Sequence, residues 1–126
     1  WKVLALNNVS EKKLTYLLGK SKIFLSFSNL EGIGIPPIEA ALSGNKVIGY
    51  TGGGGMEYWK GQIFKKIENG EIADCGQKVL SEINNYKLSW VKQSHKERKR
   101  LAKQYSDEVE MKSLNLLIKK VKSILI

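Results

Sequence analysis

Residues 28–40 read Ser28-Asn29-Leu30-Glu31-Gly32-Ile33-Gly34-Ile35-Pro36-Pro37-Ile38-Glu39-Ala40, and the rest of the predicted fold is arranged around them. The apolar run at 23–27 leads into this stretch and is typical of a buried strand. Pro36 and Pro37 suit the first turn of a helix, because their missing N–H groups would lack partners there anyway. The stretch therefore predicts a strand, a glycine loop and a helix N-terminus. In an open parallel sheet such a loop lies at the carboxyl end of a strand, where ligands bind.

Composition places the chain among single globular domains of the soluble class. It has 126 residues, of which 42% are hydrophobic and 26% charged. No apolar run approaches the roughly 20 residues that span a bilayer. The single Cys75 cannot form an internal disulfide. With this one Cys and one His, His95, neither a zinc site nor a catalytic Cys/His pair is credible. We expect a reducing, cytoplasmic setting and no bound metal.

Positive charge is concentrated at the C-terminal end of the chain. Residues 87–126 carry +7 of the total net charge of +9. The simplest interpretation is a solvated helical face, since blocks of lysine on surface helices are common. The functional alternative is a surface for anionic lipid, nucleic acid or another acidic partner.

Hydrophobic periodicity predicts alternating strands and helices, and hence an α/β fold with a Rossmann-like parallel sheet flanked by helices. The last helix carries an apolar stripe that must bury itself against something. The predicted strands are 3–6, 23–27, 46–50 and 62–67. The predicted helices are 10–19, 36–43, 71–84, 86–104 and one from 106 onward, whose stripe is Leu114, Leu117, Ile118, Val121 and Leu125.

A second glycine loop follows the third predicted strand, with four consecutive glycines at 52–55. Such a run is costly to order, because glycine loses the most backbone entropy on folding. A flexible turn is the structural explanation. A backbone that must approach a ligand closely is the functional one. Since loops at the carboxyl ends of parallel strands share one edge of the sheet, we expect the two glycine loops to lie side by side.

The residue types of the first loop favour a sugar-phosphate ligand. Four N–H groups before the prolines, together with the helix dipole, can bind an anion. Glu31 and Glu39, the latter predicted in the first helical turn, can accept hydrogen bonds from sugar hydroxyls. Each acid taken singly could be a surface residue, and a glycosidase pair is another alternative. The Walker phosphate loop is absent, and a dinucleotide fingerprint would need a third glycine. The four amides belong to Gly32, Ile33, Gly34 and Ile35.

Residues 31–40, followed by Gly44 and the pair Val47-Ile48, resemble the signature of the retaining glycosyltransferases called group 1 or family 4. Phe27 and Lys46 stand where prolines are common in that family. The glycines and glutamate at 53–57 are similar to its second glycine loop. The resemblance covers about residues 3–80. It implies the GT-B arrangement, with residues 1–126 as a single, partial domain corresponding to the later part of the C-terminal, donor-binding domain.

The resemblance implies a role for each candidate residue. Glu39 would bind the ribose hydroxyls, and Glu31 would contact the transferred sugar, which makes it the best candidate for a catalytic contact. The amides of 32–35 would hold the sugar or the diphosphate. The reaction would move a hexose-type sugar from a nucleotide diphosphate to a glycan or lipid-linked acceptor with retention, without cofactor or metal and chiefly by electrostatic stabilisation. Asn8 and Val9 would lie near the base, and Gly53 and Gly54 would form the neighbouring wall.

The resemblance also implies parts that this chain does not carry. The family's basic diphosphate-binding residues lie upstream, and an N-terminal domain brings the acceptor. In the strand order 3-2-1-4-5-6 the first two strands predicted here would be numbers three and four, which are not neighbours. We therefore expect a piece of a larger enzyme, inactive alone, or a sheet that is rearranged or completed by another chain. Its basic region would let it lie peripherally at the inner face of the membrane.

Two other functions remain open at this point. One is a non-enzymatic α/β module whose basic tail binds nucleic acid or an anionic surface, with affinity that falls steeply with salt. The other is an enzyme of the same two-domain fold that epimerises nucleotide sugars. The tail residues that the first alternative needs are Lys96, Arg98, Lys99 and Arg100.

Overall fold

A computed structural model describes residues 1–125 and shows three parallel strands flanked by helices, in the sheet order β1-β2-β3. The predicted α/β class is confirmed. The strands are β1 Ile23–Ser26, β2 Lys46–Gly49 and β3 Phe64–Lys66. The helices are α1 Glu11–Lys20, α2 Ile35–Leu42, α3 Ile72–Asn84, α4 Trp90–Gln93, α5 His95–Gln104 and α6 Asp107–Leu125, with a short 3₁₀ helix at Gly54–Glu57.

The sheet has a buried core on each face, because successive residues of β2 point to opposite sides. Val47 packs into one core with residues of α1, α2, α4 and α5. Ile48 packs into the other core, which includes Cys75 of α3 and Ile67. The central strand is therefore covered by helices on both faces, as in other parallel sheets.

The chain just before β2 ties three helices to the sheet. The Asn45 side chain is fully buried, and its amide donates hydrogen bonds to the carbonyls of Leu18 (2.9 Å) and Ala40 (3.0 Å). The indole of Trp90 donates to the Gly44 carbonyl at 3.1 Å. These bonds join the last turns of α1 and α2, and also α4, to the entry of β2. They fix the direction in which α2 leaves the first glycine loop.

The prediction of a strand at 3–6 is wrong. This segment has no regular secondary structure, and Val3 and Leu6 are 87% and 38% exposed. As expected, this segment does not pair with β1. Residues of the segment and of β1 line a groove of about 680 Å³. A strand requires a hydrogen-bonded neighbour. None of the described residues pairs with this segment, so its apolar pattern does not produce one.

Three helical predictions need smaller corrections. Helix α2 begins at Ile35, so Glu39 lies in its second turn and not in its first. The predicted helix at 86–104 is two helices, α4 and α5, that meet at the buried Ser94. The apolar stripe of α6 is exposed along its whole length.

Gly49 offers a direct test of the packing between β1 and β2. Its φ is 145°, and a Cβ placed there would lie 1.8 Å from the Ser26 carbonyl oxygen. We expect Gly49→Ala to lower the free energy of unfolding by about 3 kcal/mol or more, because the strands would have to separate. Gly76 on α3 has open space around it, so Gly76→Ala should raise stability by about 0.5–1 kcal/mol. Urea titrations of both variants measure the difference, and equal midpoints would contradict this packing.

Candidate functional site

The two glycine loops lie side by side, which confirms the placement expected from parallel strands. The Glu31 N–H donates to the Gly52 carbonyl at 2.8 Å, and the Gly54 N–H donates to the Glu31 carbonyl at 3.3 Å. Together they form an isolated parallel bridge between Glu31 and Gly53. The hydrogen bonding of β1 and β2 is thus continued beyond the strands, into the loops themselves.

The second loop needs glycine at 54 because the two backbones are in contact there. A Cβ on Gly54 would lie 1.7 Å from the Gly32 carbonyl oxygen. Gly32, on the opposite side of the contact, has open space around the position of its Cβ. The glycine run therefore serves first to bring one loop against the other. This gives a packing reason for part of a run whose composition also fits close approach to a ligand.

The N-terminus of α2 presents free amide donors. Gly34 is its N-cap, with a left-handed φ of 71°. Its carbonyl accepts a hydrogen bond from the Tyr58 hydroxyl at 2.7 Å. Within residues 1–125 no acceptor is present for the amides of the preceding loop or of the first helical residue. These donors, which agree with the four predicted from the prolines, belong to Gly32, Ile33, Gly34 and Ile35.

Hydrogen bonds from two tyrosines hold the two glycine loops in position. Sequence analysis did not predict either of them. The Tyr105 hydroxyl donates to the carboxylate of Glu57 in the second loop, and its ring packs edge-on against Tyr58 at 5.8 Å. Burial raises the pKa of Tyr58, and burial together with the bond to Glu57 raises the pKa of Tyr105. Both phenols therefore remain protonated donors at neutral pH. The position of Tyr58 just after the second glycine loop was the signal that could have identified it, because a buried phenol needs a hydrogen-bond partner.

Glu31 and Glu39 are exposed, and within the described residues neither carboxylate forms an ion pair. Glu31 lies in the bridge between the loops, and Glu39 lies in the second turn of α2. Both remain available as acceptors for hydroxyl groups.

Glu39 lines the groove of about 680 Å³ between β1 and the N-terminal segment. Asn8 and Val9 line the same groove, as do Phe27 and Pro36. The structure therefore brings Asn8 and Val9 together with Glu39, while the remaining candidates gather where the loops meet. The loop group consists of Glu31, Gly32, Ile33, Gly34, Ile35, Gly53 and Gly54.

Metal-binding side chains do not converge at this site. Among residues 1–125 no three His, Cys, Asp or Glu side chains are grouped so that they could hold a metal ion. Cys75 is free and buried in the core beside α3, and His95 is exposed on α5.

Comparisons of the chain with protein-family models, with curated proteins and with solved structures find no match. No helix in the described part of the chain is long and apolar enough to cross a membrane.

The contact between the loops can be tested by adding one methyl group on either side of it. Gly54→Ala should lower the free energy of unfolding by about 2–3 kcal/mol, because its Cβ would overlap the Gly32 carbonyl. Gly32→Ala should change it by less than about 0.5 kcal/mol, since that side is open. Chemical denaturation measures both values. If the two variants are equally stable, the loops are not in contact in solution.

Proposed function

We propose that the chain binds a nucleotide-diphosphate sugar and forms the donor-binding part of a retaining glycosyltransferase of the GT-B type. The acceptor would be a glycan or a lipid-linked sugar. One observation carries the proposal: four unpaired amides at the start of α2 lie between two uncommitted carboxylates, Glu31 and Glu39. This is the donor and acceptor pattern that a ligand with both phosphate and hydroxyl groups requires.

The groove supplies a place for the nucleoside. Val9 and Phe27 offer apolar surface to a base, and Asn8 offers an amide for hydrogen bonds to its edge. Glu39 lines the same groove and would accept hydrogen bonds from the ribose hydroxyls. The diphosphate would then run toward the amides of the first loop, and the sugar toward Glu31.

The chemistry would be electrostatic. As the bond between the anomeric carbon of the sugar and the diphosphate oxygen breaks, the acceptor hydroxyl would bond to that carbon and its proton would pass to the leaving diphosphate. In the transition state negative charge grows on the leaving phosphate oxygens. Fixed N–H donors and the positive end of the α2 dipole stabilise that charge without reorganising. Tyr58 and the bridge between Glu31 and Gly53 keep the donors fixed. Glu31, which contacts the sugar in this arrangement, would hold it in position by its hydroxyls.

Nucleic-acid binding by the basic region has less support. Binding to single strands uses exposed aromatic rings on which bases stack. Trp90 is buried, with its indole bonded to the Gly44 carbonyl, and Tyr105 is bonded to Glu57. Arg98 of the basic run donates to the Val91 carbonyl at 2.6 Å. The residues that flank the run therefore have structural partners already.

The proposal predicts that a nucleotide diphosphate binds and that Glu39 contributes to the affinity. We expect uridine or guanosine diphosphate to shift the amide signals of residues 31–35, 38–39 and 52–54 in an NMR titration. Glu39→Ala should weaken binding by about tenfold to a hundredfold, because a charge-assisted hydrogen bond to the ribose is worth about 1.5–3 kcal/mol. Glu11→Ala is the matched control, since Glu11 is an exposed acid at the start of α1, and it should leave the affinity unchanged.

Two outcomes would contradict the donor-site proposal. One is that neither nucleotide shifts these signals. The other is that Glu39→Ala and Glu11→Ala bind equally well. If Lys99→Glu on α5 abolished binding instead, the basic region would be the binding surface.

A further inference from the structure

Helix α6 is the longest element of the chain, and none of its residues is buried. Leu114, Leu117 and Ile118 are 45%, 57% and 49% exposed. Val121 and Leu125 continue the same face along the helix and are exposed as well. A continuous apolar face of this kind, open to water, marks an interaction surface.

Lysines border the apolar face on both sides. With about 100° between successive residues of a helix, Lys120 falls just beyond Leu117 at one border. Lys122 falls just beyond Ile118 at the other. None of the ion pairs formed within residues 1–125 involves either lysine. The charged side chains therefore frame the apolar stripe along the second half of α6.

The charge of α6 is one-sided. Between residues 111 and 125 it contains lysine and no acidic residue. Its three acids, Asp107, Glu108 and Glu110, are confined to the first turn, where the helix dipole favours them. A second copy packed in parallel would place lysines against lysines, which is unfavourable. An antiparallel copy would place these lysines beside the acids of the first turn, and it is the rival partner that a test for dimers must separate from lipid. The complementary partner is a surface that is apolar inside and negatively charged at its boundary.

We propose that the apolar face of α6, from about Met111 onward, docks on an anionic lipid surface. The helix would lie in the plane of the interface, with its leucines and isoleucines at the boundary of the acyl chains. Lys120 and Lys122 would extend sideways to the phosphate groups. This inference goes beyond donor binding and does not depend on it, because it uses none of the residues of the glycine loops.

Vesicle sedimentation of the whole chain tests the proposal. The probes are vesicles of phosphatidylcholine alone and of phosphatidylcholine with about 30% phosphatidylglycerol. We expect at least tenfold stronger partitioning onto the anionic vesicles, since each lysine near such a surface contributes about fivefold. Raising the salt to about 0.5 M should remove most of this preference. Equal binding to both vesicle types, or no binding, would overturn the proposal.

Adjacent leucines provide a matched pair of variants. Leu117 lies on the apolar face, whereas Leu116 lies outside it, beyond Lys120, and both are more than half exposed. Leu117→Gln should weaken partitioning about tenfold, and Leu116→Gln should change it less than about twofold. Neither side chain is buried, so both variants should keep the circular dichroism spectrum of the parent chain.

Other partners give distinct outcomes in the same experiments. If Leu116→Gln and Leu117→Gln weaken partitioning equally, no oriented face exists and the proposal fails. If light scattering shows a dimer that Leu117→Gln dissociates, the face binds a second copy and the lipid proposal is overturned. Loss of nucleotide binding in Glu39→Ala bears only on the donor site.

Discussion

The bridge between Glu31 and Gly53 is the constraint on which the rest of the site depends. It continues the pairing of β1 and β2 past the strand ends, so the two glycine loops leave the sheet together. The contact between Gly54 and the Gly32 carbonyl leaves no room for a side chain. Beyond this contact the first loop passes directly into α2, with Gly34 as the N-cap of the helix.

Long-range bonds then hold the entry of α2 in one orientation. Tyr58 binds the N-cap carbonyl at Gly34, while the buried Asn45 binds the last turn at Ala40. A helix of eight residues is thus fixed at both ends. Such fixed donors are what electrostatic catalysis needs, because they stabilise developing charge without moving. The same rigidity would suit a binding module, so the carboxylates of Glu31 and Glu39 are what distinguishes the proposed donor site.

Local patterns in the sequence predicted the sheet strands, α2 and the meeting of the loops, because apolar runs followed by glycine and proline specify short parallel units. They failed at residues 3–6, where strand formation depends on a neighbour and not on composition. They could not place Tyr58 or Tyr105, whose partners lie 24 and 48 residues away. The break at Ser94 was also not predicted, since the lysines and arginines on either side of it favour helix. The features that the sequence did not predict are therefore mainly tertiary contacts between distant residues.

Amide hydrogen exchange with and without uridine or guanosine diphosphate tests the central claim most directly. If the loops form one donor site, nucleotide should slow exchange at the unpaired amides of 32–35. Because the bridge at Glu31 couples the loops, exchange at Gly54 should slow with them. Protection that is absent from 32–35, or that appears only in the basic helices, would contradict the account.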